Sequence, residues 1–113
     1  CEWIEQICVI GDDRRFISAL IVPSFNKLKK LAEQNNITYT DHQSLVQLQL
    51  VKDAIKESLD SLQTELAPYE RIARFELLTE PFTIDNLLLT NTLKVKRKQI
   101  IAHYADLIES MYN

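Results

Sequence analysis

The sequence predicts an α+β fold, a small sheet of about three strands packed with three or four helices, the last of which closes the chain. Three observations predict it. Two short runs rich in Ile and Val flank a polar turn near the start, apolar residues recur every three or four positions through the middle, and the C-terminal stretch shows the same helical spacing. A single domain follows from the length of 113 residues.

Residues 4–10 and 16–22 read as a β-hairpin around Gly11-Asp12-Asp13-Arg14-Arg15. Ile7, Cys8, Val9 and Ile10 leave no polar alternation, so at least one strand of the pair is expected to be covered on both faces. Gly11 is the only glycine, and supplies whatever backbone freedom the turn needs. Asp12 and Asp13 beside Arg14 and Arg15 read as turn chemistry and surface charge; a partner contact by either arginine is the alternative. Pro23-Ser24 stops the strand and caps a short helix carrying Leu28, Leu31 and Ala32, which Asn35-Asn36 ends. Asp41 caps a second helical region in which Leu45, Leu48, Val51, Ile55, Leu59, Leu62 and Leu66 form a stripe. That stripe suits intramolecular packing better than a coiled coil, and Gln47 and Gln49 divide it into a short helix and a longer one from about Leu50. Pro68 closes the longer helix. In residues 71–78, Ile72, Arg74 and Glu76 alternate with Ala73, Phe75 and Leu77, as in a third strand. A connector over 84–94, with an extended piece at 87–90, leads to a final helix bearing Ile100, Ile101, Tyr104, Leu107, Ile108 and Met111.

Composition excludes several classes. A net charge of -3 argues against a general nucleic-acid binder, which needs cations spread over a face. Cys1 and Cys8 match neither a zinc spacing nor a disulfide framework; Cys8 reads as a small buried hydrophobe and neither reads as a nucleophile. His42 and His103 have no ligand companion at helical spacing, so no metal site is expected. Trp3 and Tyr69 read as packing residues near element ends. No apolar run is long enough to cross a bilayer. The chain enters a strand pattern at once, as a C-terminal domain of a longer protein would.

The densest chemical signal is Thr90-Asn91-Thr92-Leu93-Lys94-Val95-Lys96-Arg97-Lys98, with four cations in five residues ahead of the last helix. A helix N-terminus is electropositive, so cations there cost about 0.3–1 kcal/mol each unless an anion sits beside them. With the threonine hydroxyls as caps or anion contacts, the segment suits phosphate, carboxylate or nucleotide. A lysine on such a connector can swing into a neighbouring active site and stabilise negative charge on transferring oxygens.

Thr92-Leu93-Lys94-Val95-Lys96-Arg97 resembles the last conserved motif of the adenylate-forming acyl-CoA synthetases, in the long-chain fatty acid form where Thr-Leu-Lys replaces Ser-Gly-Lys. Residues 4–12, Ala19-Leu20-Ile21-Val22-Pro23, Leu66-Ala67-Pro68-Tyr69-Glu70 and residues 75–83 are similar to successive parts of that family's C-terminal domain, in the same order. The resemblance implies the mobile C-terminal domain of a long-chain fatty acid:CoA ligase. Such an enzyme joins a fatty acid to ATP as an acyl-adenylate, releases pyrophosphate, and passes the acyl group to coenzyme A. Lys94 matches the lysine that enters the active site for adenylation. Thr92, Lys96, Arg97 and Lys98 are candidates for contact with substrate, nucleotide or coenzyme A phosphates, with a structural role as the alternative for each of the three cations. The implied partners are the large N-terminal domain of the same protein, fatty acid, ATP with Mg2+, and coenzyme A. A cytoplasmic location is implied, with room for peripheral association at the inner face of the membrane. The fragment alone is expected to be inactive. The family often has glycine near position 87 and proline at 91, where this chain has Leu87 and Asn91, so the connector is expected to differ there. The rival from the residues alone is a stand-alone module that holds anionic lipid headgroups or nucleotides.

Overall fold

The computed structural model describes residues 3–11, 14–67 and 71–112. Cys1, Asp12, Asp13, Pro68, Tyr69 and Glu70, on which some expectations rest, lie outside them. Strands β1 (Ile4–Ile10) and β2 (Ile17–Pro23) precede helices α1 (Phe25–Gln34), α2 (His42–Gln47) and α3 (Gln49–Leu62); β3 (Ile72–Leu77), α4 (Arg97–His103) and α5 (Ala105–Tyr112) follow. The predicted α+β class holds. The sheet order is β1-β2-β3, with β1 antiparallel to β2 and β3 parallel to β2. A parallel neighbour needs a long crossover, and α1, α2 and α3 provide it.

β2 is the central strand, and from Ser18 to Pro23 it is buried throughout. It separates two apolar clusters. Leu20 and Val22 join Cys8, Ile10, Leu78, Phe82, Leu88, Leu89, Ile100, Ile108 and Met111 on one face. On the other, Ala19 and Ile21 meet Leu28, Ala32, Leu45, Val51, Ile55 and Leu59 from the crossover helices. Bulges adjust both edges. A register shift between Ile4 and Gln6 puts Ile4 and Ile7 on the crossover-helix face. A second shift, between Ile17 and Ser18 of β2, brings Ile72 to the same face as Phe75 and Leu77, in place of strict alternation with Arg74 and Glu76.

Helix boundaries follow local chemistry. Asp41 accepts from Ser44 N while the Ser44 hydroxyl returns to the Asp41 N–H, a full capping box for α2. Asn36 takes φ 54°, and Ile37 N donates to Ala32 O at 2.9 Å, closing α1 as the asparagine pair predicts. Ser24 occupies the N-cap of α1, but its side chain makes no cap hydrogen bond. α3 ends at Leu62, short of Pro68, so the core-facing stripe stops at Leu59: Leu62 is 65% exposed and Leu66 39%. The single final helix expected from periodicity is divided at Tyr104 into α4 and α5.

Arg14 and Arg15 each make contacts within the chain, beyond the turn itself. Arg14 pairs with Glu109 and lies 4.8 Å over the Tyr112 ring, Arg15 donates to Tyr112 O, and Arg74 donates to Met111 O at 2.7 Å. Arg15 and Arg74 satisfy carbonyls at the electronegative end of α5, where both hydrogen bonding and the helix dipole favour cations. Gly11 has no positive φ; a Cβ there would stand 3.3 Å from Ile17 Cγ1, so its requirement is space rather than a special dihedral.

Candidate active-site loop

The segment between β3 and α4 is built outward from anchors on β1. The Gln6 side chain acts as a short strand substitute: its Nε2 donates to Phe82 O at 3.0 Å and its Oε1 accepts from Phe82 N at 2.7 Å. Phe82 is thereby held in the core at 2% exposure. Thr83 and Asn86 then exchange hydrogen bonds, Thr83 N to Asn86 Oδ1 and Asn86 N to Thr83 Oγ1, forming a tight turn. Leu87 follows at φ 65°, a region glycine enters freely and a leucine enters at a cost of about 1–2 kcal/mol. The departure at position 87 is thus accommodated as left-handed backbone.

Leu88 and Leu89 drop into the first cluster, and from there the chain makes a narrow, bridged turn. Leu89 and Val95 form an isolated antiparallel bridge. Inside it, Thr90 N donates to Lys94 O at 2.8 Å, Leu93 N donates to Thr90 O at 2.9 Å, and Lys94 N donates to Thr90 Oγ1 at 3.0 Å. Thr90 Oγ1 also lies 3.0 Å from Thr92 Oγ1. Leu93 sits at φ 65° with its side chain 68% exposed. Lys96 N donates to Leu88 O at 2.9 Å and closes the base.

This geometry corrects the helix-cap reading of the threonines. The N-cap of α4 is Lys96, no side chain caps it, and Thr90 and Thr92 bond within the turn instead. Lys94 therefore precedes the helix, while Arg97 and Lys98 occupy its first turn, which holds no acidic residue. Of the five candidate residues, Thr92 and Lys94 share the turn, Lys96 stands at its junction with α4, and Arg97 turns back to donate from Nε to Val9 O at 2.9 Å. Lys94 and Lys98 are exposed.

Several apolar side chains are exposed on the turn and on the segment that leads into it. Ile84, Leu87, Leu93 and Val95 are 44%, 64%, 68% and 38% exposed. Phe82, Thr83, Ile84, Asp85, Leu89 and Leu93 line an open groove of about 440 Å³ beside the turn. Isolated exposed leucines are ordinary, but Leu93 and Val95 flank Lys94 directly, and Leu93 also lines the groove. Burial pushes the Cys8 thiol up from its ordinary value, against a smaller opposing effect of Arg97. His42 stacks on Phe25 with centroids 4.0 Å apart, and His103 lies edge-on to Tyr104. Gln6 carries no sequence signal beyond being a polar residue beside apolar ones, and Thr90, flagged as a cap or anion contact, instead shapes the loop.

The model of the AMP-binding enzyme C-terminal domain family matches residues 1–113. The chain belongs to that family. It is 32% identical over 115 residues to the probable acyl-activating enzyme 16, chloroplastic, of Arabidopsis thaliana, covering 96% of this chain and 15% of that protein. With long-chain-fatty-acid–CoA ligase 5 of Mus musculus it shares 34% identity over 110 residues, 95% of this chain and 16% of the ligase. The A-PCP didomain of carboxylic acid reductase from Segniliparus rugosus, solved in complex with AMP, superposes with a TM-score of 0.76 at 29% identity, covering 98% of this chain and 14% of that one. This domain of the AMP-binding enzymes spans only about a sixth or less of each of these relatives.

Proposed function

We propose that this domain is the mobile C-terminal part of an ATP-dependent long-chain fatty acid:CoA ligase, and that Lys94 serves the adenylation half-reaction. The observation that carries the reading is Lys94 itself, exposed on a bridged turn between exposed Leu93 and Val95, within a chain whose relatives include long-chain ligases. Those relatives are several times longer than this chain, which favours a domain working with a large partner over a free-standing anion-binding module. Magnesium is assigned with ATP to the larger domain.

In adenylation a carboxylate oxygen of the acid attacks the α-phosphorus of ATP and pyrophosphate leaves. Negative charge concentrates on the phosphoryl and carboxylate oxygens. The Lys94 ammonium, brought in as the apolar rim seats on the large domain, offsets that charge and aligns the two reactants without moving a proton. In the second half-reaction the coenzyme A thiol attacks the acyl carbon and AMP leaves, and Lys94 is withdrawn as the domain rotates. Lys96, Arg97 and Lys98 are the proposed candidates for contact with coenzyme A phosphates, with a structural role as the alternative for each.

The test is Lys94→Ala in the full-length protein. Losing one positioned donor typically slows the step by about 10²–10³-fold, so acyl-adenylate formation, followed by pyrophosphate exchange, should fall by that amount. Thioester formation from supplied acyl-adenylate should stay within about threefold of wild type. Equal losses in both half-reactions would refute the assignment.

A further inference from the structure

Lys94 carries its charge at the end of four rotatable bonds, so where the ammonium can reach is decided by how firmly its backbone is held. Both main-chain polar atoms of Lys94 bond to one residue. Its N–H donates to Thr90 Oγ1 at 3.0 Å and its carbonyl accepts from Thr90 N at 2.8 Å. Thr90 also accepts from Leu93 N through its own carbonyl at 2.9 Å, and its hydroxyl reaches Thr92 Oγ1 at 3.0 Å. Thr90 is in turn fixed to the core by its neighbour Leu89, which is 7% exposed and bridged to Val95. The Thr90 hydroxyl thus accepts from the Lys94 N–H and pairs with the Thr92 hydroxyl, and both of these bonds lie within the turn. β-branching restricts χ1 of a threonine, which keeps that oxygen beneath Lys94 rather than sampling solvent.

We infer that Thr90 is the positioning residue for Lys94: through one hydroxyl and one peptide group it sets the base from which the lysine enters the adenylation site. The inference rests on the ligase reading above. It asks for a residue that touches neither acid nor nucleotide yet matters to one half-reaction only.

The experiment uses the full-length protein with Thr90→Val, Thr90→Ser, Lys94→Ala and the Thr90→Val/Lys94→Ala double variant. Valine keeps the shape and branching of threonine but leaves the Lys94 N–H without its acceptor; because the turn is solvent-exposed, water replaces that bond and folding is barely affected. The kcat of pyrophosphate exchange should fall about tenfold in Thr90→Val with KM for ATP and acid within about twofold, as misplacement of a catalytic group predicts. Serine restores the hydroxyl and should recover at least about half of the rate. On the Lys94→Ala background, Thr90→Val should cost no more than about a further twofold, because the two residues act as one unit. Thioester formation and the thermal midpoint should be unchanged in Thr90→Val.

A normal kcat in Thr90→Val alongside a slow Lys94→Ala would overturn the positioning role and leave the ligase reading standing. So would a Thr90→Val effect of full size without Lys94, or one shared by thioester formation. Full adenylation activity in Lys94→Ala would instead bring down both.

Discussion

The hydroxyl of Tyr112 is the most heavily committed polar group in the core, and its removal gives a quantitative test of how the C-terminal helix is held. It lies 2.8 Å from Ser18 Oγ, 2.8 Å from Phe16 O and 3.3 Å from Ile10 O, and Ser18 is 0% exposed. The phenol has one hydrogen to give, which goes to the nearer carbonyl of Phe16, and its oxygen accepts from Ser18. In Tyr112→Phe the ring still stacks on Phe16 at 4.4 Å and still lies under Arg14, so apolar burial is kept. What is lost is two hydrogen bonds of about 1 kcal/mol each, and the Ser18 hydroxyl is left buried without its acceptor, giving a total of about 2–3 kcal/mol. In urea, with a slope of about 1–2 kcal/mol per molar for a domain of this size, the unfolding midpoint of the chain should fall by about 1–3 M. Trp3 fluorescence reports it, Trp3 being the only tryptophan and half-buried against the crossover-helix cluster. Ser18→Ala/Tyr112→Phe should be less destabilised than the sum of the single variants, because no orphaned group remains. A midpoint shift below about 0.3 M, or strict additivity, would show that the hydroxyl network is not what fixes α5.

Two further predictions concern local chemistry. Burial raises the Cys8 thiol above its ordinary value of 9.0, so the unfolded chain ionises first and stability should decline as pH rises through about 9, with no contribution from this group below that. Comparing urea midpoints of wild type and Cys8→Ala between about pH 7 and pH 10 isolates the effect, and parallel curves would contradict it. At the turn tip, Leu93→Gly removes left-handed strain of about 1–2 kcal/mol against a glycine entropy cost of about 0.5–1, so the thermal midpoint should hold or rise slightly. A fall of more than about 3 °C would mean that the exposed leucine is needed in the groove beside it.

The hairpin, the three crossover helices and the third strand could be read from sequence because each is signalled within its own few residues: an apolar run, the Asp41 cap, the Asn35-Asn36 stop. The parallel pairing of β3 to β2 has no such local mark, since it depends on the path of the whole crossover. The bulge that turns Ile72 to the face of Phe75 is equally silent. At the candidate site, Lys94 and its basic neighbours were visible as composition and motif, but the shape that presents the lysine was misread. Thr90-Asn91-Thr92 looks like a helix cap because hydroxyl and amide residues before an apolar-periodic segment usually are one. Here the left-handed Leu93 and the Leu89 to Val95 bridge reverse the chain first, and a leucine in that conformation carries no sign in sequence of where it will occur. Arg14, Arg15 and Arg74 were opaque for another reason: their acceptors at the end of α5 lie far along the chain.

Because β2 stands between two separate apolar clusters, the domain has two sides with different freedom to diversify. Leu88 and Leu89, which root the lysine turn, belong to the cluster shared with β1, α4 and α5, whereas Leu28, Leu45 and Ile55 belong to the other. Changes in contact couple strongly, while those separated by more than about 7–10 Å with no shared partner act nearly independently. Sequence drift among the crossover helices is thus absorbed behind the sheet, and their outer surfaces can be refashioned for new neighbours. A substitution under Leu89 or at Gln6, however conservative, reaches the turn directly.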